Sequence, residues 1–454
     1  MNIKNEINMT EGRIMPKILR FTIPLILSGL LQMAFNAADN VVIGQFSGSN
    51  ALAAVSSTSS ITNFVINLFI GLSVGTNMIL SNAIGAGNRK TCEETVHTSI
   101  TLGLVLGVIV GAVAIACCPV ILKLLNVPEE IRPLTANYLK IYFLGAPAIL
   151  VYNYGSAIMR STGDTKRPMY YLMFAGTVNV ILNLILVVRF DMSTAGVAIA
   201  TTVSQYISAI MILYAIRKSD GMCRFSFRKM RIVPQKVWLL VKYGVPASIQ
   251  SLMFSISNIS IQTCVNGFGP DAMAGCGSAS NIESFVYIIT NSVSQATLAF
   301  CGQNYGAHNI KRVRKIITRC IILTSLLTII NMSYSIFLST PLLKIFVPDN
   351  PAAVNYGIQK LSITAYSYIL CALMEVFTGA LRGLGKSLMP AVISILGICG
   401  LRLLWIATVF EKIPTLMCLY ATYPVTWGVT AIIQGICLWA VYGKIKKTQT
   451  LMEV

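Results

Sequence analysis

Three of the sixteen acidic residues, Asp39, Glu283 and Glu375, stand inside long apolar runs, whereas thirteen sit in tails, loops or helix ends. A charged side chain within a membrane span costs about 3 kcal/mol on insertion scales and marks a functional site by default. The chemistry open to such a carboxylate is reversible binding of a proton or a hard cation. Around Asp39 the spacing favours such a site. At 1.5 Å of rise per residue, Asp39 lies about 28 Å beyond Arg20, Asn183 lies about 23 Å beyond Pro168, and Thr201 lies about 10 Å past Thr194 on a descending helix. Asn179 is one turn below Asn183 and shares its helix face. If the first, fifth and sixth helices pack together, a carboxylate, two amides and a hydroxyl converge. The competing reading makes Asp39 an interfacial acid near the outer mouth and the asparagines interhelical glue.

Glu283 falls about 18 Å beyond Asp271, near the midplane. Glu375, seven residues before Arg382, reads either as a second acid facing substrate or protons, or as a helix-end acid beside cations. Arg402, about 13 Å below the outer surface, is an intramembrane cation in need of a partner. Glu283 is nearest to it in depth, so a Glu283–Arg402 pair is expected. Met253, Phe254, Phe285, Tyr287, Tyr366, Tyr368 and Met374 read as packing, with those near Glu283 and Glu375 able to line a pocket for flat organic cations. Catalysis, a metal site and a cofactor are not expected. The twelve cysteines are scattered without a Cys-x-x-Cys, and the two histidines, His97 and His308, are assigned outside the spans, which leaves no nucleophile–base pair or ligand cluster at depth.

The elements that must position these groups follow from composition. The 454 residues are 55% apolar and only 11% charged, against about 25% charged in soluble domains. That excludes an ordinary soluble enzyme and a disordered chain. Apolar runs fall at about 16–44, 52–82, 95–118, 134–157, 168–188, 194–216, 238–265, 273–301, 316–340, 355–380, 388–410 and 417–442, each long enough for a spanning helix. The first lacks a small-residue cleavage site and reads as a retained helix. The class is therefore an all-α polytopic membrane protein with twelve transmembrane helices. The net charge of +19 would suggest nucleic acid in a soluble protein, but its distribution marks topology. With both termini in the cytoplasm, the even-numbered loops and the tails hold 27 of the 35 basic residues, as the positive-inside rule requires.

The chain also repeats. Phe21-Thr-Ile-Pro24 recurs as Tyr243-Gly-Val-Pro246, Gly85-Ala-Gly-Asn88 as Gly306-Ala-His-Asn309, and Arg160-Ser-Thr-Gly163 as Arg382-Gly-Leu-Gly385. The Gly85 and Gly306 runs sit at helix-to-loop junctions and read as helix stops. Two six-helix lobes, 1–216 and 238–454, are expected, joined by a basic cytoplasmic linker, 217–237. Six spans per copy make the repeat parallel, a route to alternating access around a central cleft. The three acids do not repeat, which favours sites over scaffold.

These residues together, Pro24 with Asp39, the Gly85 and Gly306 motifs, and Arg160/Gly163 with Arg382/Gly385, resemble the multidrug and toxic compound extrusion (MATE) family. Asn281-Ile-Glu-Ser-Phe285 and Glu375–Gly385 look most like its MepA-like bacterial exporters. The resemblance implies antiport of organic cations and drugs across the plasma membrane by a rocker-switch between the lobes, with coupling-ion residues at Asp39, Asn179, Asn183 and Thr201. Many relatives carry a second aspartate where this chain has Asn183, and a single carboxylate favours protons over sodium. The expected partners are small organic cations and the lipid bilayer, with the protein a monomer. The alternative is a flippase-type exporter of a lipid-linked or other amphipathic metabolite, which would want a cluster of buried cations; only Arg402 is read as lying deep.

Overall fold

Stretches of Leu, Ile, Val, Ala and Met without internal turn chemistry form long helices, and each ends where glycine, asparagine or proline interrupts it. The computed structural model describes residues 6–125 and 127–452. Its main helices are α1 (Ile14–Phe46), α2 (Gly48–Gly85), α3 (Arg89–Ala116), α4 (Arg132–Leu144), α5 (Ala146–Ser161), α6 (Lys166–Arg189), α7 (Ser193–Arg217), α8 (Pro234–Asn266), α9 (Pro270–Gly306), α10 (Ile310–Phe337), α11 (Pro351–Gly383), α12 (Leu388–Phe410) and α13 (Leu416–Met452). Among the described residues every regular element is helical.

The run at 134–157 is not one straight helix: α4 and α5 meet at Gly145 with a bend of 44°. Pro147 lies in the first turn of α5 and cannot donate the bond that would continue α4. Among the described residues ten helices are long and apolar enough to cross a bilayer alone, and α4–α5 makes an eleventh. The twelfth is α9, 37 residues long. It falls short in apolarity because its buried side is polar, carrying Ser278, Glu283, Thr290, Ser294, Gln303 and Asn304.

The repeated motifs are backbone devices. Gly87 has φ +66° and its counterpart His308 has φ +56°. The asparagine that follows each one caps the next helix: Asn88 accepts from the Thr91 N–H at 3.0 Å, and Asn309 from the Arg312 N–H at 3.2 Å. Gly163 and Gly385 likewise take φ +90° and +82°, a region that L side chains resist. The last turn of α6, Leu184–Arg189, widens to π geometry, and so does Ile406–Phe410 at the end of α12.

Contacts divide the chain into two units. One comprises the residues up to Asn8 with Ile23–Ser248, the other Met9–Thr22 with the chain from Ile249 onward. In the first, Phe69, Phe143, Leu150 and Tyr154 centre the core, and the segment after α7 is strapped to α3. Lys229 pairs with Glu93 at 2.8 Å, and the Val233 N–H donates to Thr98 at 3.2 Å. The Ser226 N–H donates to His97 Nε2 at 3.1 Å, and the Phe225 ring stacks on His97 at 5.4 Å. His97 is therefore inside α3 and buried, a correction to its assignment outside the spans; its two turns of depth place it where it holds a loop. In the second unit, Asn304 and Arg312 donate to the Met9 carbonyl at 3.0 and 3.3 Å, and Phe21 meets Phe300 edge-on at 5.6 Å.

Candidate ion-coupling site

The Asp39 group comes from three helices of the first unit. α1 carries Asp39, α6 carries Asn179 and Asn183 one turn apart, and α7 carries Thr201. Gly176, one turn before Asn179, leaves no room for a Cβ against the Phe35 ring, so α1 and α6 lie close beside the carboxylate. Asn183 donates to Asp39 Oδ1 at 2.5 Å. Asn179 bonds in either amide orientation: in one its nitrogen donates to Thr201 Oγ1 at 3.3 Å, in the other it donates to Asp39 Oδ1 at 2.8 Å and its oxygen accepts from the Thr201 N–H at 3.2 Å. All four residues thus converge as the helical rise anticipates.

Three of them, Asp39, Asn179 and Thr201, line a cavity of about 420 Å³ together with Tyr138, Tyr142 and Gln205. Asn183 is fully buried, and among the described residues its carbonyl oxygen finds no hydrogen-bond donor. A buried acceptor left empty is costly, and here it lies next to a carboxylate. A proton on Asp39, or a small cation held between carboxylate and amide oxygens, satisfies the chemistry of both.

The second unit departs from expectation. Glu283 does not pair with Arg402. Arg402 donates to Asn258 Oδ1 at 2.9 Å and lies over the Tyr423 ring at 4.5 Å. Nearness in depth suggested the pair, but direction around the helix axis decides contact, and Arg402 points to α8 and α13. Glu283 instead meets Lys360 of α11 at 3.2 Å and accepts from the Thr364 hydroxyl. Lys360, only 4% exposed, is a deep cation that sequence reasoning passed over; the signal for it was a lone lysine within an apolar run, spaced four residues from Thr364. Glu375 is also buried, eight residues before the end of α11. Its backbone carbonyl accepts from Ser294 at 2.8 Å, and its carboxylate faces the charge of Arg382, whose guanidinium donates to Gln250 at 2.8 Å. Tyr368 and Met374 pack in the core as expected, but Phe285 and Tyr287 are each 43% exposed and Tyr366 is 73% exposed. Two residues turn a helix by about 200°, so Tyr366 and Tyr368 cannot face the same way.

Known proteins share this architecture. The MatE family model matches residues 24–185 and 246–407, stretches that are 222 residues apart at both ends, within one residue of the offset of every repeated motif. The chain is 26% identical over 446 residues to the probable multidrug resistance protein YoeA of Bacillus subtilis, covering 95% of this chain and 96% of that protein. It is 23% identical over 379 residues, 84% of each chain, to the multidrug export protein MepA of Staphylococcus aureus. A crystal structure of MATE in the bent conformation matches the fold with a TM-score of 0.90 at 21% identity, over 97% of this chain and 98% of that one.

Proposed function

Because the chain belongs to the MatE family of membrane transporters, we propose that it exports organic cations and drugs across the plasma membrane in exchange for protons. One observation carries the coupling part of this reading: a lone carboxylate, Asp39, hydrogen-bonded to Asn183 beside a buried carbonyl that lacks a donor and at the edge of an open cavity. Such a group can cycle between charged and neutral forms inside a transporter. When Asp39 is charged, it holds the amides of α6 to α1. When protonated, it loses its charge and trades an acceptor for a donor, so this hold changes and α1 repacks.

Pro24, inside α1 and about four turns below Asp39, supplies a place for that helix to bend, since proline removes an intrahelical bond. The lobes 1–216 and 238–454, joined by linker 217–237, would then rock between two states, with Glu375 facing the cationic substrate. The gradient supplies about 2.3 kcal/mol per charge for each 100 mV. The flippase alternative is disfavoured, because the deep cations Lys360 and Arg402 are both already engaged by protein groups.

The test is export of a fluorescent organic cation from proteoliposomes under an imposed pH or sodium gradient. The pH gradient is expected to drive export. Asp39→Asn is expected to lower the driven rate at least tenfold, about 1.4 kcal/mol in the barrier, while equilibrium dye binding is preserved. Export that followed sodium and ignored pH would reassign the ion; an unimpaired Asp39→Asn protein would remove the site.

A further inference from the structure

The surroundings of Glu283 are those of a monovalent-cation site. On α9, Cys276, Ser280 and Glu283 fall at i, i+4 and i+7, which brings a backbone carbonyl, a hydroxyl and a carboxylate to one helix face. At the focus of these oxygens lies the Lys360 ammonium. It is 3.2 Å from Glu283 Oε2 and 3.2 Å from the Cys276 carbonyl, and it donates to Ser280 Oγ. The Tyr420 ring covers it at 5.5 Å to the centroid. An ammonium has three donors and no acceptor, and each donor has an oxygen. The other carboxylate oxygen of Glu283 takes the Thr364 hydroxyl, so the cluster is closed.

The repeat gives this arrangement its meaning. Displaced by the 222 residues that separate the two family matches, Lys360 and Thr364 correspond to Tyr138 and Tyr142, which line the open cavity at Asp39. The buried Ile261 corresponds to Asp39 itself. At the same layer, one unit keeps an acid on an open cavity and the other carries an ion pair packed shut.

We propose that the second unit contains a monovalent-cation site permanently filled by Lys360, a tethered ammonium in place of the sodium ion or proton that would otherwise neutralise Glu283. Glu283 is then held out of the ion cycle and coupling is confined to the Asp39 unit. Confinement rests on the Asp39 reading of function; the occupied site does not, so the two are tested apart.

Thermal unfolding of the full-length protein is followed against NaCl, KCl and pH, with choline chloride as the control, in an Asp39→Asn background that silences the first site. With Lys360 in place, no saturable stabilisation by sodium, potassium or acid that depends on Glu283 is expected. Adding Lys360→Met empties the site, and the melting temperature then rises saturably with one of these cations, as it must when a ligand binds only the folded state. Further addition of Glu283→Gln abolishes the rise. The proposal is overturned if the folded, monodisperse Asp39→Asn/Lys360→Met protein responds to none of them, or if the protein with Lys360 intact already shows a response that Glu283→Gln removes.

Removing Lys360 alone leaves an uncompensated buried charge, so a variant lacking both partners gives the second reading. With Asp39 intact, Glu283→Gln/Lys360→Met is expected to retain at least half of the gradient-driven export rate. Loss of gradient-driven export in this double variant, with dye binding intact, would return Glu283 to the ion cycle and overturn the proposal. Failure of Asp39→Asn to impair export would instead sink the coupling reading and leave the cation titration to judge the filled site.

Discussion

A single carboxylate beside two amides differs from a pair of carboxylates in what it can hold. Asn183 donates to Asp39 and contributes no charge, so the site suits a proton, which needs one basic oxygen, better than a metal ion, whose affinity rises with the number of charged ligands. Asn183→Asp is therefore expected to raise the sodium response. Driven efflux at zero pH gradient should gain about tenfold in apparent sodium affinity, roughly 1.4 kcal/mol, and the reading fails if sodium dependence is unchanged while the variant still transports. The Asp39 group was legible in the sequence because helical rise sets depth and a spacing of four sets a shared face. The partners of Glu283 and Arg402 were not. Both lie deep, but only packing decides that Arg402 turns to Asn258 and Tyr423 while Lys360 turns to Glu283.

Helix stops are written in residues that tolerate positive φ, which is why the element boundaries and the repeat could be read in advance. What could not be read was which glycine also touches something. A Cβ at Gly163 would lie 2.6 Å from the Ile7 carbonyl oxygen, whereas one at Gly385 would meet nothing within 4 Å. Both positions are left-handed, at a cost to alanine of about 1–2 kcal/mol, but only Gly163 adds a clash with rigid backbone. Gly163→Ala should lower the thermal midpoint of the purified protein clearly more than Gly385→Ala does; equal losses would show that strain alone governs both sites. The break at Gly145 escaped the sequence reading for a related reason. Hydropathy sees α4 and α5 as one apolar run, and a 44° bend comes from Pro147 and local packing rather than from polarity.

At the scale of the whole molecule, orientation decides which side of the membrane the Asp39 end of the bundle faces. By helical rise, Asp39 lies far from Arg20 and the basic loops, so basic loops in the cytoplasm place Asp39 towards the outside. The 27-to-8 division of basic residues predicts that orientation. Thiol labelling tests it directly, because the natural cysteines give little background: Cys117 alone is exposed, and the other eleven are buried or half-buried. In a Cys117→Ser protein, Asp220→Cys, after α7, and Lys412→Cys, after α12, each add one exposed thiol. A membrane-impermeant maleimide should modify the Lys412→Cys protein in right-side-out vesicles and the Asp220→Cys protein only in inverted ones. The reverse pattern would put Asp39 at the cytoplasmic mouth.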